Sequence, residues 1–359
     1  MKTDISKLIG KARQTIISYP KTGVKDELKN ILKYILGRGY QNKDMLNWPN
    51  GLVIRGLVDR YESLKADEEQ LVEAEEILNS LTDFAKKWIS KGSRIYALDD
   101  AIAAEVFVFL YAETGNEDYA DAAESVYRYL IGSHTDSQGS LIYRPMQGND
   151  YILADMIGMV CPFLSMYGEV FDEAEAFSLA KRQLLNFIEN AFDSKSRLPY
   201  HGYSLKEGIK HGIIGWGRAV GWVLLGMIYY LNYAAHDEDY ERIAQAYKEL
   251  SSAVLECTDC NGIFSWALPE TEGHFDTSGT AMICDALSLG ISDGLLAPGE
   301  FEELLENCME ALNREITVDG VRNALAECGG FGVHPQIYGS YLWSLGPVIS
   351  FFSNMRTQS

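Results

Sequence analysis

The sequence predicts an all-α chain closed into an (α/α)6 barrel, a six-hairpin toroid, and three observations predict it. Strand-type alternation is nearly absent, whereas apolar residues recur at helical spacing almost throughout. Segments with one wet face alternate with segments apolar on nearly every side. The links from a wet segment to the next dry one resemble each other at an interval of about sixty residues, the length of a helical hairpin with a substantial loop.

Taken in order, Val24, Leu28, Ile31, Leu32 and Ile35 fall on one helical face. Wet segments rich in Glu, Lys and Ala follow at 68–90, 116–132, 171–192, 236–256 and 298–315. Dry segments with small residues lie at 50–64, 99–113, 155–168, 217–234, 279–292 and 338–353. Twelve helices result, the dry ones expected inside and the wet ones outside. The long wet-to-dry links read DSQGSLIYR (136–144), DSKSRLPYHGY (193–203), DCNGIFSW (259–266) and TVDGVRNAL (317–325). Gly139, Arg197, Gly262 and Gly320 hold equivalent places in them. The opposite links, such as ETGNEDY (113–119), are short, so one face of the array is elaborated. Six repeats without a polar capping repeat favour closure over an open solenoid. No break in composition marks a second domain, so residues 1–359 are expected to form a single one.

The 31 basic residues stand against 51 acidic ones, a net charge of −20 that repels nucleic acid and anionic membrane surfaces alike. No apolar run reaches the roughly eighteen residues of a membrane span. The start MKTDISKLIGKARQ lacks an apolar core of signal-peptide length, so a cytoplasmic address is expected. Of the six cysteines, Cys161, Cys284 and Cys308 sit in apolar helical surroundings, and Cys328 is isolated. Cys257 and Cys260 form a C-x-x-C with no second Cys or His pair at zinc spacing. His134, His211, His236, His274 and His334 form no ligand pair on a helix face, so neither metal nor cofactor is expected.

In such a barrel the inner helices run in one direction and their N-termini gather at one mouth, beside the long links. The residues there are not core-like: Trp48-Pro49-Asn50-Gly51, Leu98-Asp99-Asp100, Asn149-Asp150-Tyr151 with Asp155, Trp216-Gly217-Arg218, Asp276-Thr277-Ser278-Gly279-Thr280 and Tyr338-Gly339-Ser340. Helix N-termini, with Arg218 and Arg144, would suit an anion. Asp276, and one of Asp99 and Asp100, read equally well as helix caps. Asp155 lies inside the apolar stretch YILADMIGMVCPFL, where a charge is costly unless paired or used. Asp99 and Asp155 should face each other from adjacent inner helices, and two carboxylates in one dry pocket push one pKa up, leaving an acid able to donate a proton. Tyr40, Trp48, Tyr151, Tyr200, Trp216 and Trp222 offer faces for a sugar ring, or plain core. His201, in LPYHGY, reads as an exposed-loop histidine, either hydrogen-bonding or idle.

These motifs resemble the unsaturated glucuronyl and rhamnogalacturonyl hydrolases, most closely glycoside hydrolase family 105. The resemblance runs from WPNGLVIRGLVDRYE (48–62) through LDDAIAAEVFVFLYAETGNEDY (98–119), ADMIGMVCPFL (154–164), LPYHGY (198–203), WGRAVGW (216–222) and DTSGTAM (276–282) to YGSYLW (338–343). It implies the same (α/α)6 fold and a small-molecule substrate, the 4,5-unsaturated uronic acid at the non-reducing end of lyase-generated oligosaccharides. It further implies hydration of the enol ether: an acid protonates C4, water adds at C5, and the hemiketal opens. The position of the acid matches Asp155, that of the second aspartate Asp99, and the substrate positions His201, Trp216, Arg218 and Trp222. On the residues themselves, Tyr40, Trp48 and Arg144 join the candidate substrate-binding set.

The sequence departs from the family pattern at Leu153, where tryptophan is common, and at Asp100, where histidine is. Ala219 and Val220 replace Gly and Asn. These changes allow shifted specificity, and the alternative reading is a non-catalytic or specificity-shifted carbohydrate-binding protein. Asp99-Asp100 with Glu105 is also faintly like the acidic motifs of prenyl-chain enzymes, but those need a second acidic cluster for magnesium, and Asp276 alone does not supply it.

Overall fold

Six helices apolar on nearly every side form the central ring, because only a site enclosed all round can bury them. In this computed structural model, which describes residues 5–18, 28, 45–145, 150–235, 237–258 and 262–357, the inner helices are α2 (Trp48–Leu64), α4 (Ala101–Thr114), α6 (Ala154–Phe171), α8 (Gly217–Tyr233), α10 (Thr277–Ser292) and α12 (Leu342–Thr357). Each packs on the next and α12 packs back on α2, so the ring closes. The closing seam is glycine on glycine. A Cβ on Gly56 would collide with the Gly346 carbonyl, and one on Gly346 with the carbonyl of Leu52. The amphipathic helices α3 (Leu71–Ser90), α5 (Glu117–Ile131), α7 (Ala174–Ala191), α9 (Tyr240–Leu255) and α11 (Pro298–Glu315) lie outside, each against the inner helix that follows or precedes it. The protein is an (α/α)6 barrel.

A helix not read from the sequence, α1 (Ser6–Ile17), also lies outside and packs on α2, α3 and α12. Its buried face is Leu8, Ile9, Ala12 and Ile16, a short stripe diluted by Lys7, Gly10, Lys11 and Arg13. The segment 24–35, read as a helix from its periodicity, lies outside the described residues apart from Leu28, as do Tyr40, Asn149, His236 and Cys260.

The four equivalent turn positions share one backbone state. Gly139, Arg197, Gly262 and Gly320 have φ of 83°, 61°, 71° and 116°. Each reverses the chain just after an outer helix. Three of the four turns close on an antiparallel pairing, Thr135 with Leu141, Phe192 with Pro199 and Ile316 with Val321.

The links carry more extended structure than the sequence suggested. Strands β1 (Ile152–Leu153), β2 (Tyr200–Ser204) and β3 (Ile209–Ile214) form an antiparallel sheet in that order. The two-residue strands β4 (Ile316–Thr317) and β5 (Gly320–Val321) pair, as do β6 (Ala324–Leu325) and β7 (Tyr338–Gly339). These strands lie at the mouth, where the inner helices begin. Among the described residues, no helix is long and apolar enough to cross a membrane.

Candidate active site

Strand β1 runs directly into α6, which fixes where Asp155 stands. Ile152 pairs with Tyr203 and Leu153 with Gly202, so the start of α6 faces the start of β2. Asp155 in the first turn of α6 therefore meets His201 on β2, with Nε2 of His201 3.0 Å from Oδ2 of Asp155. The histidine side chain is 1% exposed and the aspartate 16%, so the carboxylate points outward from a buried partner. His201 is thus a buried strand residue rather than the exposed-loop group expected, because β3 covers its strand and aromatic rings cover its face. Burial opposes its charge, but the hydrogen bond to Asp155 and the neighbouring Cys328 thiol outweigh it and raise the imidazole to about 9. His201 is therefore charged near neutral pH, beside Asp155.

Asp99, expected from the repeat to face Asp155, lies within its electrostatic reach, while the side-chain hydrogen bond of Asp155 is to His201. Asp99 stands half-buried in the middle of the 3₁₀ turn Leu98–Asp100. The two still share one electrostatic neighbourhood. Burial raises the Asp99 carboxyl, the charges of Glu327 and Asp155 add to that, and Arg144 opposes it. Of the two adjacent aspartates, Asp100 is the cap: its Oδ2 accepts from the Tyr96 and Ala97 amides at 2.7 and 3.2 Å. Asp276 caps α10, accepting from the amides of Ser278 and Gly279 and from that of Leu325 at 2.9 Å.

The two arginines expected at the mouth have different surroundings. Arg218 is 2% exposed. Its Nη1 donates to Ser278 Oγ at 3.2 Å and to the Leu325 carbonyl at 2.7 Å, and its Nη2 donates to the Ala326 carbonyl at 2.8 Å. Asp276 lies 3.8 Å away. The guanidinium, 4.8 Å from the Trp216 ring, fastens the link after β6 to the barrel wall. Arg144 is exposed and lies 4.6 Å from the Tyr143 ring. Its φ of 52° is unusual for a side chain with a Cβ, and the Tyr143 amide donates to the Tyr151 carbonyl at 3.0 Å, pinning this turn beside β1.

Trp216 and Trp222 are each 1% exposed, while Trp48 is half-buried. Trp222 packs against Gly158 of α6 and presents its edge to Trp48 at 6.5 Å. Trp48 in turn lies 5.1 Å from Trp343. Of the departures from the family pattern, Ala219 and Val220 are fully buried within α8, and Leu153 is half-buried immediately before α6.

Sequence reading missed the link 326–337 between β6 and β7, which folds over this site. Phe331 lies 5.1 Å from His201 and 5.0 Å from Tyr151, and stacks on His211 at 4.8 Å. Only the absence of a side chain at Gly202 allows it so close, since a Cβ there would stand 2.9 Å from Phe331 Cε1. His334 lies 4.8 Å from Trp216 and 5.5 Å from Trp266. The one signal in the sequence was the run ECGGFGVHP, whose glycines and aromatic are unlike either helix type. Among the described residues, no group of three or more His, Cys, Asp or Glu is placed to hold a metal ion. Cys257 Sγ donates to the Ala253 carbonyl at 3.3 Å.

The model of Glycosyl Hydrolase Family 88 matches residues 24–357. The chain belongs to that family. Within it, the chain is 21% identical over 338 residues to the unsaturated rhamnogalacturonyl hydrolase YesR of Bacillus subtilis, covering 92% of this chain and 95% of that protein. Two solved structures share the fold. One, described as "a possible member of GH105 family" from Klebsiella pneumoniae, superposes with a TM-score of 0.84 at 13% identity, over 100% of this chain and 94% of that one. The other is the unsaturated glucuronyl hydrolase of Bacillus sp. GL1, with a TM-score of 0.69 at 16% identity, over 98% and 96% of the two chains. This family-88 protein is a glycoside hydrolase, in agreement with the resemblance read from its motifs.

Proposed function

We propose that the protein releases a non-reducing-end 4,5-unsaturated uronic acid from lyase-generated oligosaccharides by hydrating the enol-ether double bond. The observation that carries this reading is the Asp155–His201 pair, 3.0 Å apart, at the mouth of a barrel of this family. Protonating a carbon needs an acid held at the site near neutral pH. The pair stores that proton on His201, and it passes through Asp155 to C4. The cation left at C5 is stabilised by the ring oxygen, water adds there, and the proton it sheds restores the pair. The hemiketal then opens and the sugar leaves. The negative field of Asp99 assists by favouring retention of a proton on the neighbouring pair.

The substrate carboxylate is assigned to Arg144, whose charge faces solvent beside Asp99 and Tyr143. A left-handed residue with a Cβ costs roughly 1–2 kcal/mol, and such strain is often held where a side chain must be aimed. Arg218 acts from behind, holding the buried Trp216 ring that backs His201 and His334. Trp48 closes the side of the pocket, and Trp222 supports it.

Unsaturated uronides absorb near the ultraviolet edge and lose that absorbance on hydration. The test is a panel of lyase digests of pectin, glycosaminoglycan and algal polysaccharide, read by loss of absorbance. Bleaching of at least one digest by the wild type, and none by Asp155→Asn, is expected. A non-catalytic sugar-binding protein would leave the absorbance intact while gaining thermal stability with ligand.

A further inference from the structure

Buried polar atoms almost always have a partner, and one left without costs about 1–3 kcal/mol. Among the described residues, several such atoms meet in one place. Trp216 Nε1 and both ring nitrogens of His334 are buried without a protein partner. The three rings touch: Trp216 lies 4.6 Å from His201 and 4.8 Å from His334, and the two histidines are 5.6 Å apart. Three uncommitted nitrogens thus lie next to the Asp155–His201 pair. The proposed proton transfer uses His201 Nε2 and leaves all three of these idle.

His334 is the member of this group with no other task. Burial lowers its pKa to about 4, with the positive charges of His201 and Arg218 acting in the same direction, so the ring is neutral. A neutral imidazole has one N–H donor and one lone pair. A sugar hydroxyl, which both accepts and donates, matches that pattern; a carboxylate only accepts and would face the lone pair. Pro335 restricts the backbone of His334 to extended conformations, and the ring packs beside Trp216 and Trp266. Phe331 and His334 turn inward, while Val333 and Ile337 are 53% and 61% exposed.

We propose that His334 is a substrate-binding residue whose ring nitrogens exchange hydrogen bonds with hydroxyl groups of the bound sugar, making the link 326–337 the roof of the pocket. This rests on the sugar chemistry proposed above. Two substitutions separate recognition from packing. His334→Phe keeps an aromatic ring between Trp216 and Trp266 and removes the hydrogen bonds. His334→Gln keeps a donor and an acceptor and removes the ring. KM and kcat are measured on an unsaturated disaccharide that the wild type bleaches, with melting temperature alongside. For Phe, KM should rise about tenfold, the worth of one neutral hydrogen bond, with kcat within about twofold and melting unchanged or higher. Gln should recover most of the lost KM. An unchanged KM in the Phe variant, or a Gln variant as impaired as Phe, overturns the assignment while the hydrolase reading stands. A wild type that bleaches no digest overturns the hydrolase reading itself, and the assignment of His334 falls with it.

Discussion

His201 Nε2 stands 3.0 Å from Asp155 Oδ2, with the imidazole buried and the carboxylate at the edge of the mouth. In the mechanism proposed above, this pairing holds the acid near neutral pH. Asp155→Asn should keep the fold, because the residue is near the surface of the pocket, and should lower kcat by about 10²–10⁴-fold, the usual worth of a general acid. His201→Gln should lose activity in the same range with KM less affected. Steady-state absorbance assays on both variants, with circular dichroism as the folding control, check this. Normal turnover by Asp155→Asn would remove the acid from the mechanism.

The same pair sets a pH limit. The folded-state pKa of His201, about 9, is above the ordinary 6.5. Its contribution to stability is therefore fully present below about pH 6.5 and is lost as pH rises through about 9. Activity should follow, since the deprotonated pair has no proton to give. A profile of kcat/KM that falls above about pH 9 is expected in the wild type. A rate still climbing at pH 10 would contradict it.

The two arginines should separate in their effects. Arg144→Ala, at an exposed position, should raise KM about ten- to a hundredfold, the range of a hydrogen bond to a charged group, with melting unchanged. Arg218→Ala leaves the buried Asp276 without its cation and releases the Leu325 and Ala326 carbonyls. It should cost about 3–5 kcal/mol in stability. Thermal melts and Michaelis constants for both variants decide the matter, and an Arg218→Ala protein that melts like the wild type would refute this division.

A second buried charge network lies among the inner helices. Arg55 of α2 donates from Nε to Glu105 of α4 at 3.0 Å and stacks 4.8 Å from Tyr229 of α8. Burial pushes Asp59, on the same helix as Arg55, up to about 6, while the Ser350 hydrogen bond and Arg55 oppose it, and burial pushes Asp285 of α10 well above the carboxylate range. A raised carboxyl favours the folded state only while protonated. Asp59 therefore contributes stability that is present below about pH 4 and lost as pH rises through about 6. Asp59→Asn should flatten the fall in melting temperature between pH 4 and 7, and a profile as steep as the wild type's would show that Asp59 is not its source.

Much of this was legible in the residues. The dry and wet segments named the inner and outer helices because burial on all sides demands apolar residues on all sides. The turn equivalence of Gly139, Arg197, Gly262 and Gly320 was visible from spacing alone, although Arg197 disguises it, since positive φ is uncommon in a residue with a Cβ. Helix α1 escaped notice because four buried positions among charges make a weak stripe. Strand β2 was invisible because its five residues, YHGYS, are too few and too mixed to show an alternating apolar pattern.

Composition, periodicity and motif order determined the barrel and marked Asp155 as the residue most in need of a purpose. Tertiary structure alone decided which partner Asp155 has, which arginine is committed to the wall, and that the link 326–337 covers the mouth. The physical reason is range. Helical burial repeats every three or four residues and so is written along the chain, whereas the meeting of residues 155, 201 and 334 depends on strand register and on a crossing loop that local sequence does not encode.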